Sequence, residues 1–212
     1  MKARRLLRTP IVSFVDWNSQ IHEARDRHKD PTSIDVINLV LRKIEASLNG
    51  FPRTQLFEIT IRAYCGWHKG YEPTPLRREL ASISIDELHT LGKYPNMPLR
   101  ALEFGDQALG ALDIRVAKST GSHFPATCRD RGNQSYEEKM VDTALVSDLI
   151  YLATQDEPNW FIIVGEDVDL MPGVYTAERF LSGSSRKIAY LRKKKDKYLQ
   201  CDGLDCLAMA ES

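Results

Sequence analysis

Three aspartates stand where side chains could do chemistry. Asp16 closes the apolar run 11–15, and Asp167 and Asp169 follow the apolar run Trp160–Val164. Carboxylate oxygens suit hard cations such as Mg²⁺ and Mn²⁺, and Mg²⁺ takes only a few carboxylates while keeping water. Several carboxylates gathered in one place repel unless a cation or protons neutralise them. A cation so held activates water and stabilises charge on a phosphate, so a phosphodiester can be hydrolysed without a side-chain nucleophile. The candidate metal ligands and catalytic residues on this chemistry are therefore Asp16, Asp167 and Asp169, with Mg²⁺ or Mn²⁺ as the cofactor. Each has a structural reading too. An Asp at a strand end forms turns or caps the next helix, and an acid in a first helical turn suits the helix dipole.

Further residues could form an outer layer or touch substrate. Asn18 and Ser19 lie just after Asp16 and could hold a metal water or a phosphate, and Lys139 precedes Asp142. Asp148 lies six residues beyond Asp142, some 120° around a helix from it at about 100° per residue, so the two cannot face one ion equally well. The segment 186–197 carries Arg186, Lys187, Arg192, Lys193, Lys194, Lys195 and Lys197 against Asp196. Basic side chains gain affinity for nucleic acid by releasing counterions, although a charge run also serves as a solvated face. Trp17 offers a ring for stacking on a base, with packing as its ordinary role. The histidines (His22, His28, His68, His89, His123) show no ligand spacing, and Cys65, Cys128, Cys201 and Cys206 form no C-x-x-C pair. Free thiols in a reducing cytoplasm are the expectation.

The elements that must position these residues follow from periodicity. Residues 11–15 (IVSFV), Leu56–Tyr64 and Trp160–Val164 read as buried strands, with Ile188–Leu191 as a last one. Between the first two, a polar stretch reaches Pro31. Thr32 or Ser33 then caps a helix whose apolar positions are Ile37, Val40, Leu41, Ile44 and Leu48, with Gly50 as its stop. A short helical pattern covers 76–91, with Ser84 and Glu87 at capping-box spacing, and 112–117 is a candidate third strand. Ser135 and Glu138 repeat the capping-box spacing ahead of a helical face of Val141, Leu145, Leu149 and Leu152. Pro172 opens a further helix that Gly183 closes. Alternating strands and helices predict an α/β fold, a mostly parallel sheet with helices on both faces. In such sheets ligands bind beyond the carboxyl ends of the strands, where Asp16, Asp167 and Asp169 fall.

Three segments resemble a known family. KMVDTALVSDLIYLA (139–153) resembles the K-x-V-D-x-x-L-x-x-D helix start of NYN domains, members of the PIN-like nuclease superfamily. IIVGEDVDLMP (162–172) resembles their strand followed by S-G-D-x-D-F-x-P, and VSFVDWNSQ (12–20) their first strand and its D-x-x-N turn. Order and approximate spacing agree. Glu166 stands where the family has Gly, Leu170 where it has Phe, and Ser19 where it has Asn. The resemblance implies a PIN-like (Rossmann-like) sheet and a metal-dependent endonuclease, RNA more expected than DNA as substrate. It implies that Asp16, Asp142, Asp167 and Asp169 are its acids, with Asp148 matching the second acid of the helix motif. The alternative is a non-catalytic PIN-like module that binds RNA or protein. A Toprim-like domain also has an acidic D-x-D after a strand, but it wants a Glu after its first strand and fits Asp16 and the 139–142 segment less well.

The 212 residues predict one domain with embellishments: a basic leader (1–10), a PIN-like NYN domain (11–198) with an insertion around 66–135, and a C-terminal tail (199–212). Lys plus Arg and Asp plus Glu are 29 each, which excludes a uniformly basic nucleic-acid coat and an acidic disordered protein. Hydrophobic residues at 42% allow a sizeable core. The run 11–15 is too short for a signal peptide, and no stretch approaches the ~18 apolar residues of a membrane span. A cytoplasmic protein with nucleic acid as partner and no membrane is expected, with self-association or a protein partner left open.

Overall fold

A computed structural model describes residues 8–52, 54–84, 86–87, 96–111, 123–124, 126–132 and 135–192. In chain order these form β1 (Arg8–Asp16), α1 (Trp17–Arg27), α2 (Ser33–Leu48), β2 (Leu56–Tyr64), β3 (His68–Lys69), β4 (Glu72–Pro73), α3 (Pro75–Ser82), β5 (Leu99–Phe104), β6 (Cys128–Gly132), β7 (Ser135–Glu138), α4 (Val141–Thr154), β8 (Trp160–Val164), α5 (Met171–Leu181) and β9 (Ile188–Leu191). Single 3₁₀ turns occupy Leu109–Ala111 and Val168–Leu170. The candidate strand 112–117, the lysines Lys193, Lys194 and Lys195, and Cys201 and Cys206 lie outside the described residues. No helix among the described residues is long and apolar enough to cross a membrane.

β5, β2, β1, β8 and β9 pair in that order as one parallel sheet, and β3–β4 and β6–β7 are small antiparallel hairpins. The protein is thus α/β, with a five-stranded parallel sheet flanked by helices. Strand side chains alternate between faces. Ile11 and Val15 of β1, Ile59, Ile61 and Ala63 of β2, and Ile162 and Val164 of β8 pack with α1 and α2. Phe14, Tyr64, Phe161 and Ile163 point to the other face, against Leu145 and Leu149 of α4 and Val174 and Ala177 of α5. Burial on both faces explains why β8 reads as an unbroken apolar run. Each fully buried large side chain contributes about 1.5–3 kcal/mol. The close approach of α5 to α4 requires Gly173, where a Cβ would lie 2.4 Å from Val146 Cγ1.

Three expectations are corrected. The stretch read as polar up to Pro31 contains α1, because the buried face of that helix includes polar residues: Gln20 and Glu23 are buried beside Trp17 and Ala24. Lys43 of α2 donates to Gln20 Oε1 at 2.6 Å and to Glu23 Oε2 at 2.5 Å. No apolar stripe marks such a helix. Ser135 and Glu138 are not a capping box but part of β7. α4 starts at Val141 after Met140, whose left-handed φ of 65° turns the chain from the hairpin, with no side-chain cap. The fifth sheet strand, β5, falls at Leu99–Phe104, inside the region read as an insertion. The helical pattern of 76–91 is interrupted, because α3 closes at Ser82 with Ile83 extended, and the other elements stand close to expectation. Thr32 caps α2 in a reciprocal box with Asp35, and Ser84 and Glu87 exchange capping-box hydrogen bonds.

Candidate carboxylate site at the sheet rim

β1 is flanked by β2 on one side and β8 on the other. The chain first builds outward through β2 and β5, then crosses back to lay down β8 and β9. The carboxyl ends of β1 and β8 therefore border the point where strand order reverses, which is where open parallel sheets form a crevice. Asp16, the last residue of β1, stands there. It also caps α1, accepting a hydrogen bond from the Ser19 N–H at 3.3 Å, while the Ser19 hydroxyl donates to the Asp16 carbonyl at 2.9 Å. Capping and a role in the crevice are compatible, since a carboxylate has lone pairs to spare.

A cavity of about 240 Å³ opens above this point, with Asp16, Asn18, Glu138, Met140, Asp142 and Asp167 among its lining residues. Asp142 reaches it from the first turn of α4. Asp167 reaches it from the loop after β8, where it caps the following 3₁₀ turn by accepting from the Asp169 N–H at 2.9 Å. β9 secures that loop: the Tyr190 hydroxyl donates to the Asp167 carbonyl at 2.6 Å, and Arg192 Nη2 to the Glu166 carbonyl at 3.2 Å. Gly165 keeps the loop near Asp16, for a Cβ there would lie 3.3 Å from the Asp16 Cβ.

The electrostatics of the site reflect burial first and neighbouring acids second. Burial pushes the Asp16 carboxyl up to about 6, against the lowering effect of its Ser19 hydrogen bonds, and the charges of Glu138 and Asp142 push the same way. Asp142 is raised first by burial, then by Asp167, Glu138 and Asp169. Glu138 is a residue the sequence reading missed. Its Oε1 accepts from the Gly66 N–H at 2.6 Å and the Cys65 thiol at 3.0 Å, which fixes it at the end of β2. Burial pushes the Cys65 thiol well above its ordinary value, and the nearby Glu138 charge adds to this. The only sequence signal for Glu138 was its place four residues before Asp142, and the capping-box spacing with Ser135 masked it.

The other candidates divide. Asn18 lines the cavity, whereas Ser19 is engaged in the cap of α1. Asp169 is exposed and not among the lining residues, although its charge reaches Asp142. Lys139 is not among the lining residues and donates to Glu137 Oε1 at 2.5 Å. Asp148 does not join the site. It is fully buried under the sheet, accepting from Arg62 Nε at 2.9 Å and the Tyr64 hydroxyl at 2.8 Å on one oxygen and from the Leu109 N–H at 2.6 Å on the other. Arg186 donates to the Ala153 and Gln155 carbonyls at the end of α4, and Trp17 is buried in the core. The histidines, read as lacking ligand spacing, are corrected in one respect: His68 and His123 meet beside Asp106. Comparison of the chain with family models, curated proteins and solved structures finds no match.

Proposed function

We propose that the chain is a metal-dependent nuclease of the PIN-like kind, akin to NYN domains, that hydrolyses phosphodiester bonds in single-stranded nucleic acid, RNA in preference to DNA. One observation carries the reading: four carboxylates from three separate stretches of chain line one cavity at the strand-order reversal, two of them with raised proton affinity. Left alone, such a group is electrostatically unfavourable. An all-oxygen donor set fits a hard cation, and Asp16, Glu138, Asp142 and Asp167 would hold Mg²⁺ or Mn²⁺. When bound, the ion supplies positive charge for the scissile phosphate and lowers the pKa of water.

The chain's own groups do the rest. The Asn18 amide at the cavity wall would donate to a phosphate oxygen. The Gly66 N–H and the Cys65 thiol orient Glu138 and leave its second oxygen for the cavity. β9 ends at this rim, and Lys193, Lys194 and Lys195 follow it in sequence, where phosphate contact would add affinity. Single strands are favoured because their backbone can approach a recessed cavity without melting a duplex. The free Cys65 and Cys128 fit a reducing compartment such as the cytoplasm.

The test is cleavage of labelled single-stranded and duplex RNA and DNA by the purified chain with Mg²⁺, Mn²⁺ or a chelator. Metal-dependent cleavage that falls by orders of magnitude in Asp142→Asn and Glu138→Gln supports the reading. Intact substrates under every condition, with RNA bound, would make the protein a non-catalytic binding module.

A further inference from the structure

We propose a second metal site, for a zinc-like transition ion, formed by His68, Asp106 and His123 on the same rim but beyond β2 and β5. One donor atom from each residue lies within 4.8 Å of the other two. The imidazole rings are 4.9 Å apart between centroids and inclined by 41°. His68 and Asp106 are buried, whereas the His123 side chain is 40% exposed and gives the cluster a side open to solvent. His68 Nδ1 is shielded from water and has no hydrogen-bond partner among the described residues. Buried polar atoms rarely lack a partner.

The backbone holds all three residues in place. The His68 N–H donates to Thr127 Oγ1 at 2.9 Å. Asp106 follows Gly105, whose N–H donates to the Ala63 carbonyl at 2.8 Å and continues the β2–β5 pairing. The Asp106 carbonyl accepts from the Phe124 N–H at 2.7 Å, which draws His123 in. Arg77 Nε donates to Asp106 Oδ2 at 2.9 Å, and its guanidinium lies 3.4 Å above the Phe104 ring. A metal-binding carboxylate is commonly steadied by such an outer hydrogen bond.

The donor set chooses the ion. Two imidazoles and one carboxylate suit zinc and its neighbours, not the Mg²⁺ or Mn²⁺ of an all-oxygen cavity. Tetrahedral zinc with bonds of about 2.0–2.1 Å spaces its ligands roughly 3.4 Å apart, so the three donor atoms, now within 4.8 Å of one another, must draw closer to hold it. Three protein ligands leave a fourth position for water or a substrate oxygen.

The experiment is a zinc titration of the chelator-treated full chain against a chromogenic competitor, repeated with Co²⁺ as a spectroscopic probe. One zinc per chain is expected, with affinity falling roughly a hundredfold or more in His123→Gln and His68→Gln and unchanged in Asp16→Asn. His123 is half-exposed, so its variant folds on the criterion of circular dichroism and decides the matter even if His68→Gln does not. Cobalt should show the bands of nitrogen and oxygen ligation without a thiolate charge-transfer band. Undiminished zinc binding in His123→Gln, no zinc binding by the wild type, or a thiolate band would overturn the proposal. Loss of zinc in Asp16→Asn would do the same, placing the ion in the carboxylate cavity.

Discussion

Asp16→Asn tests the cost of a buried carboxylate beside other acids without disturbing the fold. Asn caps a helix as well as Asp does, so the hydrogen bond from the Ser19 N–H survives. What disappears is the ionised carboxylate. Its pKa is about 6 in the folded chain against 3.8 for the free group, so folding favours the protonated form. The stability this confers is fully present below pH 3.8 and is lost as pH rises through 6. At about 1.4 kcal/mol per unit, the shift makes the metal-free fold less stable by about 3 kcal/mol at pH 7, by roughly half of that at pH 5 and by well under 1 kcal/mol at pH 4. The Asn variant should therefore gain close to these amounts over the wild type, and the gain should shrink as pH falls. Urea unfolding with a chelator present, at several pH values from 4 to 7.5, measures the difference directly. Added Mg²⁺ or Mn²⁺ should stabilise the wild type and leave the variant nearly unmoved. A wild-type-minus-variant difference that is flat with pH would refute the reasoning and reduce Asp16 to a helix cap.

The remaining predictions separate site from scaffold. Asp142→Asn and Asp167→Asn should each lower single-turnover cleavage by orders of magnitude, and Asp169→Asn much less, because Asp169 does not line the cavity; equal losses in rapid-quench assays would contradict this. Asp148→Ala leaves the buried Arg62 with only the half-exposed Glu103 as an acidic partner and should cost about 3 kcal/mol by denaturant unfolding, while the folded fraction cleaves at the normal rate. Lys43→Met leaves the buried Glu23 with only Arg27, which is half-exposed, and should destabilise by about 3 kcal/mol, with protection of α1 amides falling first in hydrogen exchange.

How far the sequence revealed the fold depended on whether burial was expressed in apolar residues. β1, β2, β8 and β9 announce themselves because both faces of a parallel strand are covered, and α2 because its stripe is apolar. α1 was hidden because the pairing of Lys43 with Glu23 and Gln20 lets a polar face be buried. β5 was hidden for another reason. As an edge strand with only Leu99 fully buried, it alternates with polar residues such as Arg100 and Glu103 and has no continuous apolar signature. Asp148 shows the converse error: a motif position attracts a functional reading, but its neighbours in space, Arg62 and Tyr64, come from a strand more than eighty residues away.

The same logic explains which parts of the site were legible. Asp16 and Asp167 sit directly after strands, so a local pattern and the general placement of ligands in parallel sheets suffice to find them. Glu138, His68, Asp106 and His123 sit on hairpins and connections whose positions are decided by tertiary hydrogen bonds. The β6–β7 hairpin is central to this. Thr127, just before β6, accepts from the His68 N–H through its hydroxyl and from the Lys139 N–H through its carbonyl, and Glu138 at the end of β7 accepts from Gly66. One hairpin therefore supports His68 of the nitrogen-containing cluster and supplies the fourth carboxylate of the oxygen-lined cavity. The two sites are chemically separate in their donors but share a mechanical support. Loosening the hairpin should disturb both, whereas substituting Asp16 or His123 should disturb one each.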